Sequence, residues 1–163
     1  MTGVIPGKAA LVSAAFCLLG IACASADHFG GSRHRVADWG SERGFFAETL
    51  QTDSFEFFAL KKIRAKNQRL TVYIEGDGAA WITPYHPPRD PTPSQPVALA
   101  LAASDSSDAV VYLGRPCQYL DEPLLAKCSA SWWTNQRFAP EVISAYEQAL
   151  DLLKTESGAH TLR

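Results

Sequence analysis

Two short apolar runs limit the architecture of this chain more than any other feature. Leu70-Thr71-Val72-Tyr73-Ile74 and Ala109-Val110-Val111-Tyr112-Leu113 are rich in β-branched residues and carry no charge. A strand with one wet face alternates apolar and polar residues. A nearly continuous run suits a strand covered on both faces, as in a parallel sheet flanked by helices. Between the two runs, residues 96–103 read Pro-Val-Ala-Leu-Ala-Leu-Ala-Ala, which is helix composition. Strand, helix and second parallel strand predict a βαβ unit.

The flanks extend this pattern. Phe45-Phe46-Ala47-Glu48-Thr49-Leu50 and Phe55-Glu56-Phe57-Phe58-Ala59-Leu60 are β-rich and separated by Gln51-Thr52-Asp53-Ser54, so an antiparallel hairpin is expected. Residues 61–69 hold five positive charges and read as a solvated turn. Residues 140–154 give the clearest helix. Pro140 suits its first turn, Glu141 lies at the positive end of the dipole, and Gly158 stands where a cap belongs. Val142, Tyr146, Ala149, Leu150 and Leu153 recur at helical spacing and form one apolar face. Thr161-Leu162-Arg163 reads as the opening of another strand.

The N-terminus reads as a cleavable export signal over residues 1–26. One positive charge, Lys8, precedes an uncharged run over residues 9–22, and Ala24-Ser25-Ala26 supplies a small-x-small cleavage site. The run falls short of the ~20 apolar residues that span a bilayer, and a buried N-terminal helix is the bland alternative. Cleavage after Ala26 gives a periplasmic or secreted product. Lipidation at Cys23 gives a membrane-anchored lipoprotein instead, although Gly20 stands where such signals usually carry leucine. No later segment is long and apolar enough to span a membrane.

Residues 27–43, with Gly30, Gly31 and Gly40, read as a loose leader, and residues 44–163 as one domain. The 15 Lys and Arg against 17 Asp and Glu give a net charge of -2. The charges are scattered, with no basic stripe to neutralise a phosphate backbone, so nucleic acid is not an expected partner. Past Ala26 only Cys117 and Cys128 remain. In an oxidising compartment a bridge is favoured, worth roughly 3 kcal/mol in the chain-entropy model. A metal site is the alternative, but His28, His34, His86 and His160 are dispersed along the chain.

The segment Glu75-Gly76-Asp77-Gly78-Ala79-Ala80-Trp81 follows a predicted buried strand directly. Its glycines permit a sharp turn that leaves N–H groups open. One reading is a plain strand-ending turn. A dinucleotide-binding turn needs G-x-G-x-x-G opening a helix, but Trp81 stands at the third glycine position and prolines follow. The third reading is an oxyanion hole, for which acyl-transfer hydrolases on an α/β sheet draw one N–H from the loop after the third strand. Glu75 and Asp77 as paired catalytic carboxylates are a weaker option. So is Asp151 with His160.

The chain resembles a group of exported bacterial α/β-hydrolases. The resemblance rests on Tyr73-Ile74-Glu75-Gly76-Asp77-Gly78 with Trp81, Asp90-Pro91-Thr92-Pro93, and Tyr112-Leu113-Gly114-Arg115-Pro116-Cys117-Gln118-Tyr119. Cys128, Trp133-Thr134 and Arg137-Phe138-Ala139-Pro140-Glu141 complete it. It covers Gly44 to Arg163. It implies the N-terminal part of a three-layer α/β-hydrolase-type sheet: an antiparallel hairpin, then βαβ and a helix. It also implies loop-side oxyanion donors at Asp77 or Gly78, with Gly76 shaping the turn, and a Cys117–Cys128 disulfide. Trp132, Trp133 and Arg137 would line or brace the excursion that this disulfide anchors.

The six prolines of residues 84–96 read either as a bland connector or as a stiff lid or wall above a pocket, where Tyr85, His86 and Arg89 would touch substrate; Trp81, Tyr85 and Arg89 are the substrate-contact candidates. No Gly-x-Ser-x-Gly occurs, so the nucleophile, acid and histidine are expected beyond Arg163. The expected function is hydrolysis of an ester, thioester or amide, using a small acyl-type substrate and no cofactor or metal, by an enzyme of which this chain is the front portion. Alone, the chain is expected to be inactive. The alternative is a non-catalytic envelope module that binds or interacts through the same half-fold.

Overall fold

The computed structural model describes residues 1, 3, 29–66, 69–79, 81, 83 and 85–163. The export segment, its cleavage site and Cys23 lie outside the described residues. A mixed five-stranded sheet with helices on both faces places the protein in the α/β class. Strand β1 (Phe46–Gln51) pairs antiparallel with β2 (Glu56–Ile63), from Phe46 opposite Lys61 to Gln51 opposite Glu56. The turn between them is closed by Thr52, whose N–H donates to the Phe55 carbonyl at 3.0 Å and whose Oγ1 accepts from the Phe55 N–H at 3.1 Å.

Strand β3 (Arg69–Ile74) follows, then helix α2 (Val97–Ser104) and β4 (Ala109–Leu113). Strand β4 inserts between β2, to which it is antiparallel, and β3, to which it is parallel with Tyr73 opposite Tyr112. Helix α4 (Pro140–Ser157) then leads to a two-residue strand β5 (Thr161–Leu162), parallel to β3 on its other side. The resulting order is β1-β2-β4-β3-β5. The expected hairpin and βαβ unit are both present.

Strand β4 has all five residues buried, as its continuous apolar run requires. Ala109, Val111 and Leu113 face Ala145, Ala149 and Leu153 of α4, with Phe57 and Ala59 of β2 in the same cluster. Val110 and Tyr112 face the other way, into a cluster with Ala98, Leu99 and Ala102 of α2 and Phe58 and Leu60 of β2. Period-two alternation therefore distributes one apolar strand between two cores. Truncation of Leu153 to alanine would cost about 2–5 kcal/mol at so buried a position.

Strand β3 is less covered than its composition implies. Leu70 and Thr71 are buried, but Ile74 is 44% exposed. Strand β5 pairs with only the first part of β3. The Arg163 N–H donates to Leu70 O and the Val72 N–H donates to Arg163 O, both at 2.9 Å. Beyond Val72 the outer edge of β3 has no ladder partner among the described residues.

Two segments differ from expectation. Within the expected loose leader, residues Arg33–Ser41 form helix α1, capped by the Ser32 hydroxyl on the Arg35 N–H at 3.3 Å. Only Val36 and Gly40 of this helix are buried, so its polar sequence hides the apolar stripe. A Cβ on Gly40 would stand 2.9 Å from Leu60 Cδ1, so glycine there marks a close helix–sheet approach rather than looseness. The expected solvated turn at residues 61–69 is also shorter, because β2 continues to Ile63. Lys61 is gripped by Glu48 and Glu156. Lys62 is 6% exposed, with its ammonium 4.6 Å from the Phe45 ring centre, and burial lowers its pKa.

Helix α4 keeps the predicted start and runs one turn further, to Ser157. Gly158, at φ +70°, caps it with its N–H on Lys154 O. The open edge of β3 generates a prediction. Ile74→Lys should raise the concentration at which the chain stays monomeric in light scattering, with the melting temperature changed by less than about 4 °C. Unchanged self-association would count against the edge as the sticky surface.

Candidate functional site

The parallel strands β3 and β4 deliver two loops to the same end of the sheet. The last ladder bond runs from the Glu75 N–H to Leu113 O at 2.9 Å, after which residues 75–79 turn away. Glu75 folds back into the protein. It is 6% exposed, and its Oε1 accepts from the Gly76 N–H at 2.9 Å. Its Oε2 is also buried. The hydroxyls of Tyr112 and Tyr119 share a hydrogen bond of 2.8 Å. Burial pushes both phenols up, and the Glu75 charge adds to the effect.

Asp77 takes a different direction. Its Oδ1 lies 2.7 Å from Arg115 Nη1, and its Oδ2 lies 3.7 Å from Arg137 Nε. Glu75 and Asp77 thus engage separate partners and do not form a carboxylate pair. Gly78 sits at φ +62°, and a Cβ there would stand 2.2 Å from Pro91 O and 2.9 Å from Gln118 Nε2. Only glycine fits that approach. The backbone N–H groups of Asp77 and Gly78 donate to no acceptor among the described residues. The turn thus places two amides without an acceptor among the described residues at the carboxyl end of β3.

A loop after β4 supports this turn from below. Gln118 is 1% exposed and reaches across to the carbonyls of Gly76 and Pro91. Next to it, the Tyr119 N–H donates to Thr92 Oγ1 at 2.8 Å, and the Thr92 N–H donates to Asp90 Oδ1 at 2.8 Å. Cys117 and Cys128 form the disulfide, with Cα atoms 6.1 Å apart. This bridge closes an excursion containing a short helix α3 (Glu122–Leu125), followed by a 3-10 turn (Ala130–Trp133). Trp132 meets Phe55 edge-on at 5.2 Å, and Trp133 is 4% exposed. Arg115 Nη2 donates to Arg137 O at 3.2 Å, so the Asp77 ion pair also ties the excursion to the turn.

An open groove of about 550 Å³ runs from Glu75, Gly76 and Gly78 along Pro93 to Val97 and Leu101 of α2. Pro93 walls this groove, in keeping with the proline-rich stretch. Trp81, Tyr85 and Arg89 are not among its lining residues. Trp81 and Tyr85 are exposed, and Arg89 pairs with Glu122 at 2.7 Å on the surface. Gln118, Arg115 and Thr92 carry the construction instead. The sequence signal for them was proximity to Cys117 and to prolines, which does not reveal which side chains turn inward.

Asp151 is exposed on α4, 3.8 Å from Lys154, and His160 precedes β5 at the opposite end of the parallel strands. The two make no acid–base couple. No group of three His, Cys, Asp or Glu among the described residues is placed to hold a metal ion. No helix among the described residues is long and apolar enough to cross a membrane. Comparison of the chain with family models, curated proteins and solved structures finds no match.

Gly78→Ala tests the turn. The left-handed backbone and the Pro91 carbonyl should together cost about 2–4 kcal/mol, read as a lowered urea midpoint. A midpoint equal to that of the unsubstituted chain would mean that the turn relaxes freely.

Proposed function

We propose that this protein is the front portion of an exported serine-type α/β-hydrolase acting on an ester, thioester or amide, with the loop after β3 as one side of its oxyanion hole. The observation that carries the proposal is the pair of N–H groups at Asp77 and Gly78 that have no acceptor among the described residues, at the carboxyl end of the parallel strand β3. Such donors stabilise the charge that develops on the carbonyl oxygen of a tetrahedral intermediate, and a single one contributes about 3 kcal/mol to the rate.

Two further features support it. The order β1-β2-β4-β3-β5, with only the β1–β2 and β2–β4 pairs antiparallel, suits a three-layer hydrolase-type sheet. The register of β5 also counts. Thr161 lies opposite Arg69, so four more residues past Arg163 in that register reach the level of Glu75. A strand-to-helix turn there would bring a serine alongside the open amides. In this proposal the nucleophile, acid and histidine follow Arg163, and residues 1–163 alone perform no turnover.

The second reading is a non-catalytic envelope module, periplasmic, secreted or lipid-anchored at Cys23. It is favoured by the exposed apolar Val97 and Leu101 of α2 beside the open β3 edge. The two readings part on one observation. The reading frame continued past Arg163 should enter Gly-x-Ser-x-Gly within about ten residues if the protein is a hydrolase. A chain ending at Arg163 should also remain unlabelled by a serine-reactive fluorophosphonate and inert toward an activated ester. Turnover by that chain which disappears on substituting one of its own residues would overturn the proposal.

A further inference from the structure

We infer that Gln118 is a positioning residue, whose buried side-chain amide aims the Asp77 N–H into the open. The inference rests on the oxyanion-donor proposal for its purpose, but its geometry stands independently. A primary amide offers one acceptor oxygen and two donor hydrogens. In Gln118 all are engaged with backbone. Oε1 accepts from the Arg115 N–H at 3.0 Å, while Nε2 donates to Gly76 O at 3.0 Å and to Pro91 O at 3.4 Å. Three loops meet at this one side chain.

The consequence for Asp77 follows from peptide planarity. The Gly76 carbonyl and the Asp77 N–H belong to one peptide unit, and the structure holds no cis peptide bond among the described residues. In a trans unit the two groups point in opposite directions. Drawing Gly76 O inward onto Gln118 therefore turns the Asp77 N–H outward. The Gly76 N–H is in turn held by Glu75 Oε1, and the Ala79 N–H donates to Pro91 O at 3.2 Å. With its neighbours so fixed, the Asp77 N–H has little freedom to find a partner of its own. Of the two open amides, Asp77 is the one whose direction Gln118 dictates.

The loop that presents Gln118 is unusual in its own right. Cys117 and Tyr119, on either side of it, have φ of +71° and +61°, the left-handed region that side-chain-bearing residues seldom adopt. Each is held there by a separate restraint. Cys117 is tied to Cys128, and Tyr119 is fixed by Thr92 Oγ1 and by the Tyr112 hydroxyl. Strain of this kind persists only where surrounding contacts over-determine it, and it clusters at functional sites.

Amide hydrogen exchange by NMR on the disulfide-bonded chain tests the inference. Gln118→Glu keeps the length and the acceptor for Arg115 but removes the amide donors; Gln118→Met removes donors and acceptor at similar volume. In both variants the Ala79 N–H should exchange about tenfold faster or more, and the Asp77 resonance should shift or broaden. Amides of the β2–β4 ladder should stay within about twofold of the unsubstituted chain. Unchanged Ala79 and Asp77 signals in both variants would overturn the inference. So would equal acceleration or loss of protection across the ladder, since that describes a packing residue. None of these readouts requires acyl transfer, so the hydrolase proposal can fail while the positioning role stands.

Discussion

Burial of β4 on both faces is the constraint from which the rest of the structure follows. A strand with every residue covered needs a partner strand on each edge and a helix layer on each side. The hairpin strand β2 and the parallel strand β3 meet the first need. Helices α1 and α2 on one face and α4 on the other meet the second. Because β3 and β4 run in the same direction, their exits lie side by side. Loops that are distant in sequence, 75–79 and 114–119, therefore become neighbours at one end of the sheet.

What those neighbours build is a backbone arrangement more than a side-chain one. Asp77 is engaged by Arg115, Glu75 is turned inward, and the nearby tyrosines are buried phenols with raised pKa. The groups left available are N–H donors. The oxyanion-donor proposal rests on those donors. The interlocking also explains the disulfide's location, since a bridge at Cys117 secures the very loop that carries Gln118.

Much of the fold was legible in the sequence because it rests on periodicity. The hairpin, the βαβ unit, the helix from Pro140 and the cap at Gly158 all announce themselves through apolar spacing or turn chemistry. Helix α1 did not, because a helix that buries only Val36 and a glycine shows no stripe. The extent of β2 was obscured because Lys61 and Lys62 are charged, and a lysine inside a strand becomes intelligible only when its carboxylate or aromatic partner is seen. For the turn after β3, the glycine signal is explained at Gly78, whose φ of +62° and close approach to Pro91 exclude a side chain. The role of Gln118 was hidden, since a glutamine becomes a strut only through a backbone conformation that no residue pattern declares. The exposed positions of Trp81 and Tyr85 were equally hidden, because composition does not tell which aromatic side chains find a cover.

The strand order also carries a consequence for how the molecule assembles. The β1–β2 hairpin closes over a handful of residues, the β3–β4 pair joins Thr71 to Val110, and the β3–β5 pair joins Arg69 to Thr161. Closing the longest of these loops costs only about 0.8 kcal/mol more than the middle one in chain entropy. In a polypeptide emerging from its amino end, however, the partners become present one after another. The hairpin has both halves first, and the flank of β3 that receives β5 waits longest for its neighbour. During that interval the backbone edge at Leu70, paired with Leu162 in the finished sheet, stands open to other chains.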